Sequence, residues 1–127
     1  MIDHGKLLPR IIEKMFPDPD ERELVVEILS QYGHAQFQRE WDRVKMAILK
    51  LAGKSPDRIR YYTLMACRDY RDVLSAAEYP NQIGKHNLKE TDPALYDEMV
   101  EEDKKQYRDW YLGVLWDGKT VNGETLH

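Results

Sequence analysis

Residues 55–80 read SPDRIRYYTLMACRDYRDVLSAAEYP, and both ends of this stretch carry helix signals. Ser55 followed by Pro56 is typical of a helix start, because serine caps free backbone N–H groups and proline fits the first helical position. Pro80 cannot continue a helix. The apolar residues between these ends recur at the three- and four-residue spacing of one helix face. They are Ile59, Tyr62, Met65, Ala66, Tyr70, Val73 and Ala77. The stretch therefore predicts one long helix.

The chain before this stretch divides into three shorter helices. Asp18-Pro19 predicts the start of the second helix, with Asp18 as its N-cap. Gly33 and Gly53 follow the second and third apolar stripes, where glycine readily takes the left-handed conformation that ends a helix. The start of the third helix, between Phe37 and Glu40, stays open.

The last third begins without helical periodicity. Residues 80–91 predict a loop that is longer than most loops in compact domains. Asp92-Pro93 then marks the start of a final helix. Four to five helices with mostly short links predict an all-α fold, an antiparallel bundle that forms a single domain over residues 1–127.

The end of the final helix has two interpretations. Asp117-Gly118 is typical of a hairpin turn, which would pair residues 114–116 with 120–121 in a small ribbon. We favour a helix to about Trp116 and a loose C-terminal tail over 117–127.

Composition excludes several classes of protein. Apolar residues make up 42% of the 127, too many for a disordered chain, and the 33% that are charged are too many for a membrane protein. No apolar run approaches the roughly 20 residues of a membrane-spanning helix. Cys67 is the single cysteine, so no internal disulfide can form. We therefore expect a soluble cytoplasmic protein without a membrane association.

The formal net charge of −4 comes from the last third, since residues 80–127 hold 10 acidic and 6 basic side chains. An acidic protein is poorly suited to duplex nucleic acid, which requires a basic surface. A basic protein partner is the alternative that this charge favours, although a solvated helix face explains the same pattern.

Signatures of catalysis and metal binding are missing. No glycine-rich phosphate loop occurs, and the four histidines are scattered without a ligand spacing. We expect no metal and no cofactor. Enzymatic activity stays open, with a binding protein favoured.

Two aspartates stand within apolar stripes. Asp69 lies among Met65, Ala66 and Val73, and Asp103 lies among apolar residues of the final helix. A buried carboxylate needs hydrogen-bond donors, and the nearest candidates are arginines and tyrosines. The donors are either a structural network between helices or the walls of a polar pocket. The candidate binding residues are Tyr62, Asp69, Tyr70, Arg71, Asp103 and Tyr107.

Aromatic residues fall into two groups. Those at core spacing are Trp41, Tyr62, Tyr70, Tyr107 and Trp110. Neighbours on a helix point about 100° apart, so a second group should be partly exposed and is a candidate interface. It comprises Tyr61, Tyr79, Tyr111 and Trp116. The same surface is a candidate contact between two copies of the chain in a homodimer.

Parts of the chain between Val44 and Pro80 resemble known proteins. The matching segments read VKMAILKLAG (44–53), RDYRDVL (68–74) and AEYP (77–80). This pattern resembles a core shared by small uncharacterised all-helical bacterial proteins and covers about a third of the chain. The resemblance implies a helical bacterial protein and carries no activity.

These observations favour a small binding or regulatory module that acts through protein–protein contact, with an inhibitor or immunity-type protein as one specific version. The alternative is a small-molecule-binding protein or enzyme that uses an Arg–Asp–Tyr pocket between the fourth and fifth predicted helices.

Overall fold

A computed structural model describes residues 2–34, 39–116, 120–121 and 124–125. Within these ranges the chain forms α1 (His4–Met15), α2 (Pro19–Leu29), α3 (Trp41–Ala52), α4 (Pro56–Arg68), α5 (Tyr70–Glu78), α6 (Leu88–Thr91), α7 (Pro93–Leu115), β1 (Thr120–Val121) and β2 (Glu124–Thr125). The predicted all-α helical bundle is confirmed, but the described ranges hold seven helices where four to five were predicted. None of these helices is both long and apolar enough to span a bilayer.

The chain divides into two compact units, residues 1–74 and 75–127. The single domain over 1–127 stays a prediction. In the first unit, α3 packs against α1 and α4, and α2 packs against α4. Helix α3 contributes more buried residues than one face can hold: Val44, Met46, Ala47, Ile48, Leu49 and Ala52. Burial of this apolar surface makes α3 the main hydrophobic element of the unit.

Three sequence signals at the helix ends of the first unit are confirmed, at Asp18, Ser55 and Gly53. The predicted stop at Gly33 is wrong, because α2 already ends at Leu29 with Ser30 as its C-cap and the chain makes a turn before it reaches Gly33. Oδ2 of Asp18 accepts a hydrogen bond from N of Glu21 at 3.2 Å. Oγ of Ser55 accepts from N of Arg58 at 3.3 Å. Gly53 follows α3 with φ 66° and ψ −144°, a positive-φ conformation that glycine adopts at low cost.

The single long helix predicted over 55–80 is wrong at Asp69, which separates α4 from α5. Its backbone is extended, with φ −156° and ψ 101°. Its Oδ1 accepts from N of Arg71 at 3.0 Å, which is the bond of a residue that caps a new helix. The apolar spacing continues through the break, so periodicity alone predicts a continuous helix there.

Trp41 was predicted in the core but is 56% exposed. It is the first residue of α3 and follows Glu40, whose φ of 55° turns the chain into the helix. A Cβ atom placed on Gly33 would lie 3.6 Å from the indole of Trp41, so this ring covers a turn rather than filling the core. Phe37, the other proposed boundary of this helix, lies outside the described residues.

In the second unit, α7 starts at Pro93, as the Asp92-Pro93 signal predicts. Oδ1 of Asp92 accepts from N of Leu95 at 3.2 Å. The predicted loop over 80–91 holds for residues 80–87, and its last four residues form α6, which packs against α7. The short α6 was missed because four residues are too few to show periodicity.

The C-terminal ribbon pairs different residues from those considered in the sequence. Thr120 pairs with Thr125 and Val121 with Glu124 in antiparallel register. Residues 114–115 remain in α7, which ends at Leu115, close to the predicted Trp116. The other positions of the predicted loose tail over 117–127 lie outside the described residues.

Candidate functional site

Asp103 lies in the middle of α7 with 1% of its surface exposed, and amides surround its carboxylate. Oδ1 accepts from both N and Nδ2 of Asn81, at 3.0 and 2.8 Å. Oδ2 accepts from Nε2 of Gln82 at 2.9 Å. Desolvating a carboxylate is costly, and these three bonds offset that cost. The predicted burial of Asp103 is therefore confirmed.

Two further side chains extend these contacts. Oε1 of Gln82 accepts from the hydroxyl of Tyr96 at 3.1 Å. Nε2 of Gln106 donates to the carbonyl of Ala77 at 3.0 Å and also lies 3.3 Å from that of Glu78, at the end of α5. We refer to five of these residues as the amide cluster: Asn81, Gln82, Tyr96, Asp103 and Gln106.

The amide cluster is suited to holding the chain in place. Among the described residues, the groups that donate hydrogen bonds to the Asp103 carboxylate are neutral amides. Neutral amides do not exchange protons in catalysis. Both carboxylate oxygens are already engaged. Within the ranges that the structure describes, no three His, Cys, Asp or Glu side chains group as metal ligands do. The cluster therefore fastens residues 81–82 to the middle of α7.

Sequence reasoning missed these donors, because it considered arginines and tyrosines. Asn81 and Gln82 directly follow the helix-ending Pro80. Two amide side chains immediately after a helix end could have been recognised as partners for a buried carboxylate.

Asp69 and Arg71 form a bidentate pair at the start of α5. Nε of Arg71 donates to Oδ1, and Nη2 donates to Oδ2, each at 3.0 Å. The hydrogen bonds from the side chain and backbone of Arg71 hold the pKa of Asp69 below its usual value. The Arg71 side chain is 75% exposed, so water screens the pair and its role is to orient the chain locally. The sequence places Asp69 either at the edge of the core or in it, and the structure shows it half-buried at a helix junction.

An open cavity of about 270 Å³ adjoins this pair, lined by Ala66, Arg68, Asp69, Tyr70 and Arg71. Three of the predicted binding residues therefore meet at one cavity. Tyr62 lies one turn before Ala66 and is half-buried, with its ring edge-on to Tyr61 at a centroid distance of 5.1 Å. The guanidinium of Arg58 lies 5.9 Å from the Tyr62 ring, a cation–π distance.

Tyr107 belongs to an aromatic group on α7. Its side chain is buried, and its ring centroid lies 5.7 Å from that of Trp110 and 5.9 Å from that of Tyr111. Of the six predicted binding residues, Asp103 and Tyr107 belong to the second unit and the other four belong to the first. Asp103 binds the amides of 81–82, while Asp69 binds Arg71.

The candidate interface aromatics are exposed to different degrees. Tyr61 is 60% exposed, Trp116 is exposed, and Tyr79 and Tyr111 are half-buried. Leu64 is 53% exposed, and sequence reasoning did not single it out. It lies three residues after Tyr61 on α4, so the helical spacing from that tyrosine was the available signal.

Comparisons with protein-family profiles, curated proteins and solved structures find no match to this chain. The resemblance of its central segments to bacterial helical proteins stays an expectation. Function is therefore inferred from the side chains described above.

Proposed function

We propose that this chain is a small binding module that acts by contacting another protein. The outward face of α4 carries the proposal, because Tyr61 and Leu64 are both more than half exposed there. Residues three apart on a helix are neighbours, so these side chains form one apolar patch. Tyrosine is among the residues that contribute most to protein–protein binding. We refer to Tyr61 and Leu64 as the α4 patch.

The arginines beside the α4 patch define the chemistry of the partner. Arg60 is exposed and pairs with Asp57 at 3.3 Å. Arg68 is exposed and forms no hydrogen bond or ion pair with the residues that the structure describes. Since Asp57 neutralises Arg60, Arg68 is the charge that remains at this edge, and it fits a partner that offers an apolar pocket beside one acidic group.

A basic partner would meet the second unit. The exposed acids of its long helix lie in the N-terminal half of α7: Asp97, Glu98, Glu101 and Glu102. Charge of one sign on one surface accelerates encounter with an oppositely charged protein. An inhibitor or immunity-type protein that occupies a basic site is the version of the proposal that this charge supports.

A cytoplasmic location is part of the same proposal. Cys67 is a free, half-buried thiol whose Sγ lies 3.7 Å from the carbonyl oxygen of Gln31. A lone thiol packed in this way is compatible with a reducing compartment.

A small-molecule-binding protein or enzyme is the second candidate, and the cavity beside Asp69 supports it. Its volume of about 270 Å³ is below the roughly 300–1,000 Å³ of most ligand sites. Both carboxylate oxygens of Asp69 are also engaged by Arg71. These two observations rank this candidate below protein binding.

Affinity capture with three versions of the chain tests the proposal. The baits are the native chain, Tyr61→Ser/Leu64→Ser, and the control Leu24→Ser/Val26→Ser, which removes exposed apolar side chains from α2. Quantitative mass spectrometry compares what each bait retains from an extract of the source cells. We expect a protein that the native chain and the control retain and the α4 variant loses. Identical sets on all three baits would contradict a role for the α4 patch.

A further inference from the structure

The outward side of α7 carries a stripe of residues that changes charge halfway along the helix. Its members are exposed and recur at intervals of three and four residues, so they share one face. They are Ala94, Glu98, Glu101, Lys105, Arg108 and Leu112. This outer stripe lies opposite the buried side of α7, which holds Tyr96, Asp103 and Tyr107.

Each charge in the outer stripe has an opposite charge at the same distance on the other side of position 103. Glu98 and Arg108 are five residues from this position, and Glu101 and Lys105 are two residues from it. When two identical helices pair antiparallel about a twofold axis, residues equally spaced before and after the axis face each other. An antiparallel pair of α7 helices centred on position 103 therefore sets a glutamate against a cation at each of these positions.

The ends of the outer stripe are apolar and obey the same symmetry. Ala94 and Leu112 each lie nine residues from position 103, so the leucine of one copy would pack on the alanine of the other. Leu112 is 40% exposed, and this contact would cover it. The stripe spans about 27 Å at the rise of an α-helix. A contact of this length is at the small end of specific interfaces, so the pairing should be weak.

The charges of the outer stripe are only partly used within one chain. Two exposed ion pairs lie along the helix, and pairs of this kind contribute little to stability. They are Lys104–Glu101 at 3.5 Å and Lys105–Asp109 at 2.8 Å. Glu98 and Arg108 form no hydrogen bond or ion pair with the described residues. These two side chains are therefore available to a partner.

We infer that the outer stripe is the contact surface for a second copy of this chain, in an antiparallel pair with Glu98 of each copy against Arg108 of the other. A parallel pair would set like charges together along the whole stripe and is disfavoured. The inference concerns a surface other than the α4 patch and does not depend on it. It shares Glu98 and Glu101 with the surface proposed for a basic partner, so a second copy and that partner would compete for these two side chains.

Sedimentation velocity of the full chain over a range of concentrations tests the pairing. In about 50 mM salt we expect a dimer that grows with concentration. In about 1 M salt, where the Debye length falls to about 3 Å, we expect a monomer. A monomer at every concentration in low salt, or a dimer that salt does not weaken, would overturn the inference.

Charge reversal tests the register. Glu98→Lys/Glu101→Lys makes the outer stripe wholly positive, and Lys105→Glu/Arg108→Glu makes it wholly negative. Each variant alone should be monomeric, with its self-association weakened at least tenfold. An equimolar mixture should recover the dimer, because every facing pair is again opposite in charge. Circular dichroism of each variant alone should match that of the native chain, which shows that both variants are folded.

The control is Glu23→Lys/Glu27→Lys, which makes the same change in charge on exposed positions of α2. It should dimerise as the native chain does. Loss of the dimer in this control would show that net charge rather than the outer stripe governs association. A mixture that stays monomeric would overturn the antiparallel register. The Tyr61→Ser/Leu64→Ser variant should also remain dimeric, which separates this test from that of the α4 patch.

Discussion

Asn81 binds one oxygen of Asp103 twice, through its backbone nitrogen at 3.0 Å and its side-chain nitrogen at 2.8 Å. The two bonds fix both the main chain and the side chain of Asn81 against α7. A single side-chain bond would allow the loop to rotate about its contact, whereas this arrangement does not. The start of the loop after α5 is therefore held by a residue that lies 22 positions later in the sequence.

Asp103→Ala should destabilise the protein by about 3 kcal/mol, because it removes three hydrogen bonds to a buried carboxylate and leaves a gap in the packing of α7. Urea unfolding monitored by circular dichroism measures the change. The matched control is Asp97→Ala, an exposed acid on the same helix, which should stay within about 0.5 kcal/mol of the native chain. Equal losses in the two variants would show that the carboxylate of Asp103 does not hold the loop.

Asp69→Asn should remove a pH-dependent contribution to stability. The hydrogen bonds from Arg71 lower the pKa of Asp69 in the folded chain, so the folded state favours the ionised carboxylate. Its stabilisation is complete above the ordinary carboxyl pKa of about 4 and is lost as the pH falls through the lowered value. Urea midpoints between pH 7 and pH 2 should therefore converge for the native chain and the variant. Asp72→Asn, on an exposed neighbour, is the control, and parallel curves for Asp69→Asn would contradict the assignment.

The protein should lose stability at high pH because of the ionisation of Tyr32. Burial raises its pKa to about 12 while its hydroxyl donates to the carbonyl of Arg39 at 2.6 Å. Since an unfolded tyrosine ionises near pH 10, the unfolded state releases this proton first, and stability falls as the pH rises from about 10 to 12. Tyr32→Phe should show a shallower loss in this range when melts at pH 8 and pH 11 are compared. The same slope in both proteins would exclude the effect.

Gly53→Ala and Gly113→Ala should change stability in opposite directions. Neither added methyl would meet another atom within 4 Å, so packing does not distinguish them. Gly53 has φ 66° and ψ −144°, and forcing alanine into this sparsely populated region costs about 1–3 kcal/mol. Gly113 lies inside α7, where alanine is favoured by about 1 kcal/mol. Thermal melts measure the melting temperature of each variant. A shift of both melting temperatures in the same direction would contradict this explanation.

The sequence predicts local features of this fold well, because they depend on neighbouring residues. The caps at Asp18, Ser55 and Asp92 each bind a backbone nitrogen three residues later, as their types indicate. The break at Asp69 depends on the side chain of Arg71, and helical periodicity does not register that bond. Trp41 shows the same limit, since a residue at the end of a stripe can lie beyond the packed part of the helix.

The amide cluster shows why the site was harder to predict than the helices. The burial of Asp103 followed from its position among apolar residues of one helix. Its partners are 21 and 22 residues away on an irregular segment, where no periodic pattern relates one residue to another. Charge was a misleading guide, because arginine is the expected partner of a carboxylate and the actual donors are neutral.

The neutral donors of the amide cluster make the chain sensitive to chemical ageing. Deamidation of Asn81 replaces its side-chain nitrogen, 2.8 Å from Asp103, with an oxygen and adds a negative charge. The bond would become a repulsion between the buried carboxylate of Asp103 and a new carboxylate at the exposed position 81. An aged sample would thus contain molecules in which the loop is released from α7, and storage time would alter the protein without any cut in its backbone.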